Sequence, residues 1–211
     1  MALNNKQFIT DFNPKIEGLN SANTAELGLF SAGRGFEVFD EYIQVNPKTN
    51  VSEAMDDLKR GRGVTHLIWN YKADNTRDIV AYFTLAGNVV PYDDGIEDEM
   101  FELSNYPSIS VMEIKMFAVA SSYQDVFYEQ EGLSMPISAW CIRFIVAYAN
   151  MVCEKHISFQ GLFLHAVPTA ETFYKTNGFS VLPECAKPLY SIDQGLTAMW
   201  LILREISLPE E

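Results

Sequence analysis

The stretch Ala170–Phe179, AETFYKTNGF, places a phenol next to a Phe ring and just before a chain reversal. Pro168 suits the first turn of a helix, where its missing N–H would have no partner anyway. Asn177 and Gly178 suit a left-handed conformation at the helix end. The pattern predicts a short helix between two strands. Tyr174 on that helix serves either packing, as a ring with a satisfied hydroxyl, or chemistry.

A carboxylate within an apolar strand is the second group that could do chemistry. Side chains alternate along a strand, so in SISVMEIKMFAV the side chain of Glu113 shares one face with Val111 and Lys115. A carboxylate is costly to bury there without a partner. Two interpretations stay open: Glu113 is a general base, or it forms an ion pair with Lys115.

No other residues have the spacing of a known catalytic or metal site. The three histidines lack metal-ligand spacing, and the chain has no Gly-x-Ser-x-Gly, Walker or dinucleotide motif, so no metal is expected. His165 ends an apolar strand and is expected in the core or at its rim. The three cysteines are far apart, which predicts no disulfide framework and favours a reduced, cytoplasmic setting.

Length and charge limit the class of protein. The chain has 211 residues, 48% of them hydrophobic, and suits a single domain, 1–211, in which 1–63 is assigned only loosely. Its formal net charge is -13. Binding to phosphate groups needs clustered Lys and Arg, so neither nucleic acid nor a membrane surface is expected as a partner. The acidic balance favours a cationic substrate or partner.

The densest run of charge lies between Asp93 and Glu102, with six acidic residues in ten positions. A solvated loop is the ordinary interpretation of such a run. The alternative is that these carboxylates attract a cationic ligand.

Alternating and apolar runs supply the strands that would position these residues. The predicted strands are, in order, QFITDF, VTHLIWNY, DIVAYFTLA, SISVMEIKMFAV, FQGLFLHAV, FSVLP and TAMWLILRE. The second and third are separated by a polar turn and predict a hairpin. Strands interleaved with helices predict an α/β sandwich with a mixed sheet.

Three further segments predict helices. ANTAELGLFSA is one, and VSEAMDDLKRG is another, with Asn50 or Ser52 as its cap and Gly61 as its stop. PISAWCIRFIVAYANMVCEKH has apolar residues at helical spacing and is the longest. Its apolar part is expected to be too short and too polar to cross a bilayer. The strands before and after it are expected to be parallel.

Two of these stretches carry a family resemblance. Ala170–Phe179 reads Ala-x-x-Phe-Tyr-x-x-x-Gly-Phe, which resembles the last helix of the GNAT N-acetyltransferases. That family moves an acetyl group from acetyl-CoA to an amine. The run EIKMFAV, from Glu113 to Val119, resembles the strand of the histone-acetylating branch in which Glu and, after four residues, Ala-Val occur. The element order agrees from about Val64 to Arg204.

The resemblance implies a mixed, mostly antiparallel sheet that is split into a V and flanked by helices. It implies that Tyr174 gives a proton to the departing CoA thiolate and that Glu113 takes a proton from the amine. It also implies a β-bulge near Phe117, whose free backbone groups hold the thioester. The residues expected to contact acetyl-CoA are Phe117, Ala118, Val119, Gly132, Ser134 and Phe173.

The segment before the longest helix departs from the family pattern. Relatives have Gln or Arg and then x-x-Gly-x-Gly or Ala there, so that backbone N–H groups face the CoA pyrophosphate. The segment 121–136 is longer than the corresponding stretch of the family pattern, contains Gly132 as its one glycine and carries acidic residues. Ser134 is expected to cap the helix, with Pro136 in its first turn, which leaves a helix N-terminus for phosphate.

These features predict an N-acetyltransferase that moves an acetyl group from acetyl-CoA to a primary amine by direct attack. No activated nucleophile is visible for a covalent intermediate. The expected acceptor is a small molecule or peptide amine of cationic character, and a homodimer is left open. One alternative is a catalytically degenerate GNAT-fold protein that binds or regulates. The other is a toxin-like aminoacyl-tRNA acetyltransferase, which the acidic charge disfavours.

Overall fold

The structure is a computed structural model that describes residues 7–91, 108–130, 132–183, 186 and 195–203. It has the predicted mixed, mostly antiparallel strands with helices. The described strands are β1 (Gln7–Ile9), β2 (Pro14–Gly18), β3 (Val64–Tyr71), β4 (Arg77–Pro91), β5 (Ser108–Val119), β6 (Val126–Gln130), β7 (Leu133–Pro136), β8 (Gly161–Ala166), β9 (Ser180–Val181) and β10 (Thr197–Ile202). The described helices are α1 (Glu37–Ile43), α2 (Glu53–Lys59), α3 (Ile137–Lys155) and α4 (Glu171–Thr176).

The chain forms two compact units. The first takes in the residues up to Ala86 together with Lys115–Arg143, and the second takes in Gly87–Ile114 and the residues from Phe144 onward. In the first unit the strand order is β2-β3-β4-β5, with β2, β3 and β4 antiparallel in turn. A separate small sheet of the first unit has the order β1-β6-β7, in which β1 runs parallel to β6.

A buried carboxylate joins α2 to β5 within the first unit. Asp57 of α2 is 1% exposed and accepts hydrogen bonds from the Tyr42 hydroxyl at 2.9 Å, from Arg62 Nε at 2.9 Å and from the Lys115 ammonium. Burial acts to raise the pKa of Asp57, but the hydrogen bonds and charge of Lys115, together with Tyr42 and Arg62, outweigh it and lower that pKa. Lys115 therefore forms its ion pair with the buried carboxylate of Asp57.

The second unit is built on the strand order β4-β5-β8-β10-β9. β5 and β8 are parallel for three residue pairs, of which the last is Glu113 opposite Phe163. β10 is antiparallel to both β8 and β9. The apolar cluster of this unit consists of Val90, Ile109, Val111, Phe163, Leu182, Ala186 and Trp200.

The longest helix, α3, connects the two parallel strands, as the sequence predicted. It buries a stripe at helical spacing, formed by Ile137, Cys141, Ile142, Ile145 and Ala149. By length and composition alone its 19 residues could cross a membrane, so the expectation that it is too short and too polar was wrong. A core helix passes the same test, and a buried stripe of this kind is typical of one.

Agreement with the sequence-based prediction is best from Val64 onward. In the N-terminal third, α2 forms with Ser52 as its N-cap, accepting from the Met55 N–H at 3.2 Å. The helix predicted at ANTAELGLFSA is only a 3₁₀ segment, Thr24–Leu29, because it buries the single residue Leu27 rather than a continuous stripe. The sequence did not predict α1, β2 or the β6–β7 hairpin.

Gly161, the first residue of β8, lies where a side chain has no room. A Cβ atom there would stand 2.9 Å from the Leu201 carbonyl oxygen of β10. We expect Gly161→Ala to lower the free energy of unfolding by about 1–3 kcal/mol, because overpacking shifts the backbone. Urea unfolding measures the change. Gly87→Ala, whose Cβ would meet nothing within 4 Å, is the control, and equal loss in both variants would contradict the close packing.

Candidate active site

Glu113 of β5 lies between two polar side chains of the second unit. Its Oε2 accepts a hydrogen bond from Asn88 Nδ2 at 3.0 Å. Its Oε1 is 4.0 Å from Nδ1 of His165 on β8. The carboxylate is 20% exposed and the imidazole 12% exposed, so both groups are largely withdrawn from water. The expected Glu113–Lys115 ion pair is wrong, because Lys115 pairs with Asp57.

Strand alternation explains why these three side chains meet. Asn88, Glu113 and His165 each lie two positions along their strand from a residue of the apolar cluster: Val90 on β4, Val111 on β5 and Phe163 on β8. Residues two apart share a face of the sheet. The polar group therefore continues the same face that forms the core of the second unit. The sequence contained this signal on three strands, but it does not give the register that brings the strands together.

The surroundings of His165 favour its neutral form. Its ring packs edge-on against Phe163, with 4.8 Å between ring centroids. Burial lowers the pKa of His165, and the nearby Glu113 carboxylate partly offsets this effect. The ring nitrogens of His165 make no hydrogen bond to a described residue. Neither nitrogen is fully buried, because Trp69 Nε1 is the one fully buried side-chain N or O atom without a hydrogen bond among the described residues. Both ring nitrogens of His165 therefore keep some access to solvent.

Tyr174 lies on α4 between two aromatic rings. The centroids of Phe173 and Phe179 are 5.2 Å and 5.7 Å from that of Tyr174. Its hydroxyl makes no hydrogen bond to any residue that the structure describes, and burial raises the pKa of Tyr174 to about 12. At neutral pH the phenol is therefore protonated and has a hydrogen to donate.

The end of α4 is closed as the sequence predicted. Gly178 has a φ of +94°, and the N–H groups of Gly178 and Phe179 bond to the carbonyls of Lys175 and Tyr174, each at 3.1 Å. The other end of α4 is fixed by Glu171, which accepts from the Thr197 hydroxyl of β10 and pairs with Lys175 at 3.1 Å. The short helix is thus held from both ends.

The end of β5 places Phe117, Ala118 and Val119 in the first unit. The Val119 carbonyl accepts a hydrogen bond from Gln124 Nε2 at 3.0 Å, and the same amide group reaches the Ala32 carbonyl at 2.7 Å. The next N–H, that of Ala120, donates to the Val80 carbonyl of β4 at 2.8 Å. Ala118 and Val119 are buried, whereas Phe117 is half-buried.

Gly132 and Ser134 lie in the β6–β7 hairpin. Gly132 has a φ of +78° and turns the chain, and Ser134 lies opposite Glu129 on the paired strand. Ser134 is therefore part of β7, and the expectation that it caps α3 is wrong: the helix begins at Ile137, directly after the strand. An extended hairpin therefore occupies the segment where the GNAT sequence pattern would have a glycine-rich loop.

Some predicted features fall outside the described residues. They are the acidic run from Asp93 to Glu102, Glu131 and Cys185. Within the part of the chain that is described, no group of three metal-ligating side chains comes together. The groups assembled in the second unit are thus a carboxylate, an imidazole and an amide, with a protonated phenol on α4.

Solved structures resemble the chain over most of its length. AtaTR bound with AcCoA has 17% sequence identity and a TM-score of 0.61, covering 90% of this chain and 94% of that one. AtaT complexed with acetyl-methionyl-tRNAfMet has 17% identity and a TM-score of 0.63, covering 90% and 95%. An acetyltransferase of the GNAT family from Staphylococcus aureus Mu50 has 16% identity and a TM-score of 0.52, covering 91% and 100%.

These likenesses show that the chain has the GNAT fold, as the resemblance implied. No protein-family model and no curated protein matches the sequence. One expectation is overturned. Net charge led to the expectation of a small cationic amine as acceptor and of no nucleic acid as partner. A protein of the same fold has been solved with acetyl-methionyl-tRNAfMet, so for this fold net charge alone does not exclude nucleic acid.

The state of Tyr174 can be measured directly. We expect its phenol to stay protonated up to about pH 11, because burial holds its pKa near 12 whereas a free tyrosine ionises near 10. The Cζ chemical shift of labelled tyrosine, assigned with Tyr174→Phe, reports the titration. Phe179→Ala should admit water and lower the pKa. A Tyr174 that titrates at pH 10 would show that its ring is not shielded.

Proposed function

We propose that this chain is an acetyltransferase that moves an acetyl group from acetyl-CoA to the α-amino group of an aminoacyl-tRNA. The observation that carries the proposal is the likeness over 90% of the chain to a protein solved with acetyl-methionyl-tRNAfMet. The groups on β5, β8 and α4 supply the acid–base chemistry that such a transfer needs. The acceptor is still a primary amine, as the family resemblance implies, but it is carried by a nucleic acid.

The reaction needs two proton movements and one exchange of bonds. The neutral amine attacks the thioester carbonyl carbon, a C–N bond forms, and the C–S bond breaks. The surplus proton on nitrogen passes to the Glu113–His165 pair, and the departing thiolate takes a hydrogen bond or proton from Tyr174. General acid–base catalysis of this kind typically raises the reaction rate by about 10²–10⁴-fold.

The acidity of the Tyr174 phenol determines how it acts on the leaving thiolate. With a pKa of about 12, Tyr174 is a weaker acid than a thiol, whose reference pKa is about 8.5. Complete transfer of its proton is therefore uphill, and its main contribution is a hydrogen bond to the developing thiolate. Bulk water then supplies the proton that the free thiol carries.

Net charge does not oppose a tRNA acceptor as strongly as the whole-chain value suggests. Six of the 28 acidic residues fall between Asp93 and Glu102. A cationic cluster lies at the C-terminal end of α2 and just after it, and its three residues are exposed: Lys59, Arg60 and Arg62. Arg60 and Arg62 share Asp56, at 2.9 Å and 2.8 Å, and phosphate groups could replace that contact.

The N-terminus of α3 offers a place for the CoA phosphates. The first turn of α3 has no acidic residue, so its N–H groups carry an uncompensated positive dipole. The Gly132 turn and the exposed Ser134 precede it. Phe117 to Val119 on β5 are the proposed contacts for the pantetheine arm, and Phe173 packs beside the phenol.

The β6–β7 hairpin favours a second candidate function, a GNAT-fold protein that binds a partner without catalysis. The hairpin replaces a glycine-rich loop and carries Glu129 on β6. Calorimetry with acetyl-CoA separates the two candidates. Binding at micromolar to submillimolar concentration supports the enzyme, and no heat at millimolar ligand supports the non-catalytic protein.

The acceptor is tested with labelled acetyl-CoA and purified aminoacyl-tRNAs. We expect label in the N-acetyl-aminoacyl ester, released by mild base. Deacylated tRNA and free amino acids are the controls, because each lacks one half of the substrate. Binding of acetyl-CoA without transfer to any aminoacyl-tRNA would overturn the acceptor and leave the fold and the cosubstrate standing.

Removing the phenol tests the mechanism. We expect Tyr174→Phe to lower turnover by about ten- to a thousandfold while acetyl-CoA affinity is kept, because only the hydrogen bond to the leaving sulfur is lost. Single-turnover kinetics and calorimetry measure the two quantities. Tyr148→Phe, on α3, is the matched control. Unchanged turnover in Tyr174→Phe would show that the Tyr174 hydroxyl does not stabilise the departing thiolate.

A further inference from the structure

We propose that His165 is the base that takes the proton from the attacking amine, and that Glu113 is a positioning residue acting through His165. The inference rests on the proposed function, which leaves the base of the Glu113–His165 pair unassigned. It reverses the role that the sequence resemblance implies for Glu113.

The contacts of the carboxylate argue for a supporting role. Glu113 is held from one side, because its Oε2 accepts a hydrogen bond from Asn88 Nδ2 at 3.0 Å. Its other oxygen, Oε1, is directed to within 4.0 Å of His165 Nδ1. A carboxylate fixed in this way orients an imidazole and stabilises its charged form, which is the part that a buried acid plays beside a catalytic histidine.

The imidazole has a ring nitrogen, Nε2, whose lone pair can accept a proton. His165 Nδ1 faces Glu113, and Nε2 makes no hydrogen bond to any residue in the described part of the chain. The ring is 12% exposed, so it is shielded but not sealed. Phe163 supports one side of it, at a centroid distance of 4.8 Å. The ring is thereby positioned with one nitrogen available.

Protonation equilibrium agrees with this assignment. Burial lowers the pKa of His165, and the charge of Glu113 raises it in part, so the imidazole is neutral at pH 7. Glu113 on β5 is the charged group that acts on it. Phe163 on its own strand and Ala198 opposite it on β10 bring no charge. A base works best when its pKa is near the working pH, which favours an imidazole over carboxylates as a class.

The proton then has a complete route. His165 Nε2 uses its lone pair to take the proton that the amine nitrogen loses as the C–N bond forms. Nδ1–H donates to Glu113 Oε1, and the distance of 4.0 Å shortens as the ring becomes positive. After the acetylated product leaves, the imidazolium returns its proton to water. No oxidant, metal or further reactant is needed.

A titration of the free protein tests the pair without any acetyl transfer. Nitrogen-15 spectra of the three histidines are expected to show neutral His165 as the Nδ1–H tautomer with a pKa below 6.5. Glu113→Gln should lower that pKa further and shift the tautomer towards Nε2–H. A His165 signal that is identical in the two proteins would overturn the role of Glu113, whatever the protein catalyses.

The pH–rate profile separates the two candidate bases. We expect His165→Gln to lower turnover about a hundred- to ten-thousandfold and to remove the acidic limb. Glu113→Gln should keep that limb and move it to lower pH, because the imidazole loses the carboxylate that raised its pKa. His156→Gln, on an exposed histidine beyond α3, is the matched control.

The contrary result is equally clear. If Glu113→Gln abolishes the acidic limb while His165→Gln leaves it in place, Glu113 is itself the base and the proposal is wrong. If the wild type transfers no acetyl group but the histidine titration behaves as expected, the proposed function fails while the coupling of the two residues stands.

Discussion

The short parallel ladder between β5 and β8 is the constraint on which the candidate site depends. Parallel strands need a crossover, and α3 supplies it with nineteen residues. The ladder sets Glu113 opposite Phe163, and alternation then brings His165, two residues further on, to the same face. A shift of one residue would turn Glu113 or His165 to the other face of the sheet. The register therefore determines whether a carboxylate and an imidazole meet at all.

The same face also explains how the polar group is tolerated. Val90, Val111 and Phe163 are almost completely buried and anchor three strands, so the polar residue two positions along each strand is carried to the edge of the core. An isolated carboxylate there would be costly. Asn88 satisfies one oxygen of Glu113, and His165 faces the other. The apolar cluster thus fixes the geometry, and the polar side chains satisfy one another at its margin.

Local patterns in the sequence were sufficient for part of this. The α3 stripe, the β3–β4 hairpin, the α2 cap at Ser52 and the Tyr174 helix with its Gly178 terminus follow from periodicity and turn chemistry within short windows. The contact between Glu113 and His165 spans 52 positions and needs a strand register that no short window contains. The Glu113–Lys115 pairing failed for the same reason, since Asp57 lies 58 positions away. The whole-chain charge is a weak guide to nucleic-acid binding, because it averages over surfaces that act separately.

The three-residue strand β1 has a practical consequence. It lies parallel to β6 by pairing Gln7–Ile9 with Val126–Tyr128, and the Phe8 and Phe127 rings are 5.6 Å apart. Removal of this strand, or an affinity tag that displaces it, would turn β6 into an open edge with unpaired backbone groups and would take the Phe8 ring away from Phe127. The unpaired N–H and C=O groups of such an edge can form a ladder with a strand of another molecule. Shortened variants should therefore keep Gln7–Ile9 if the hairpin is to stay as described.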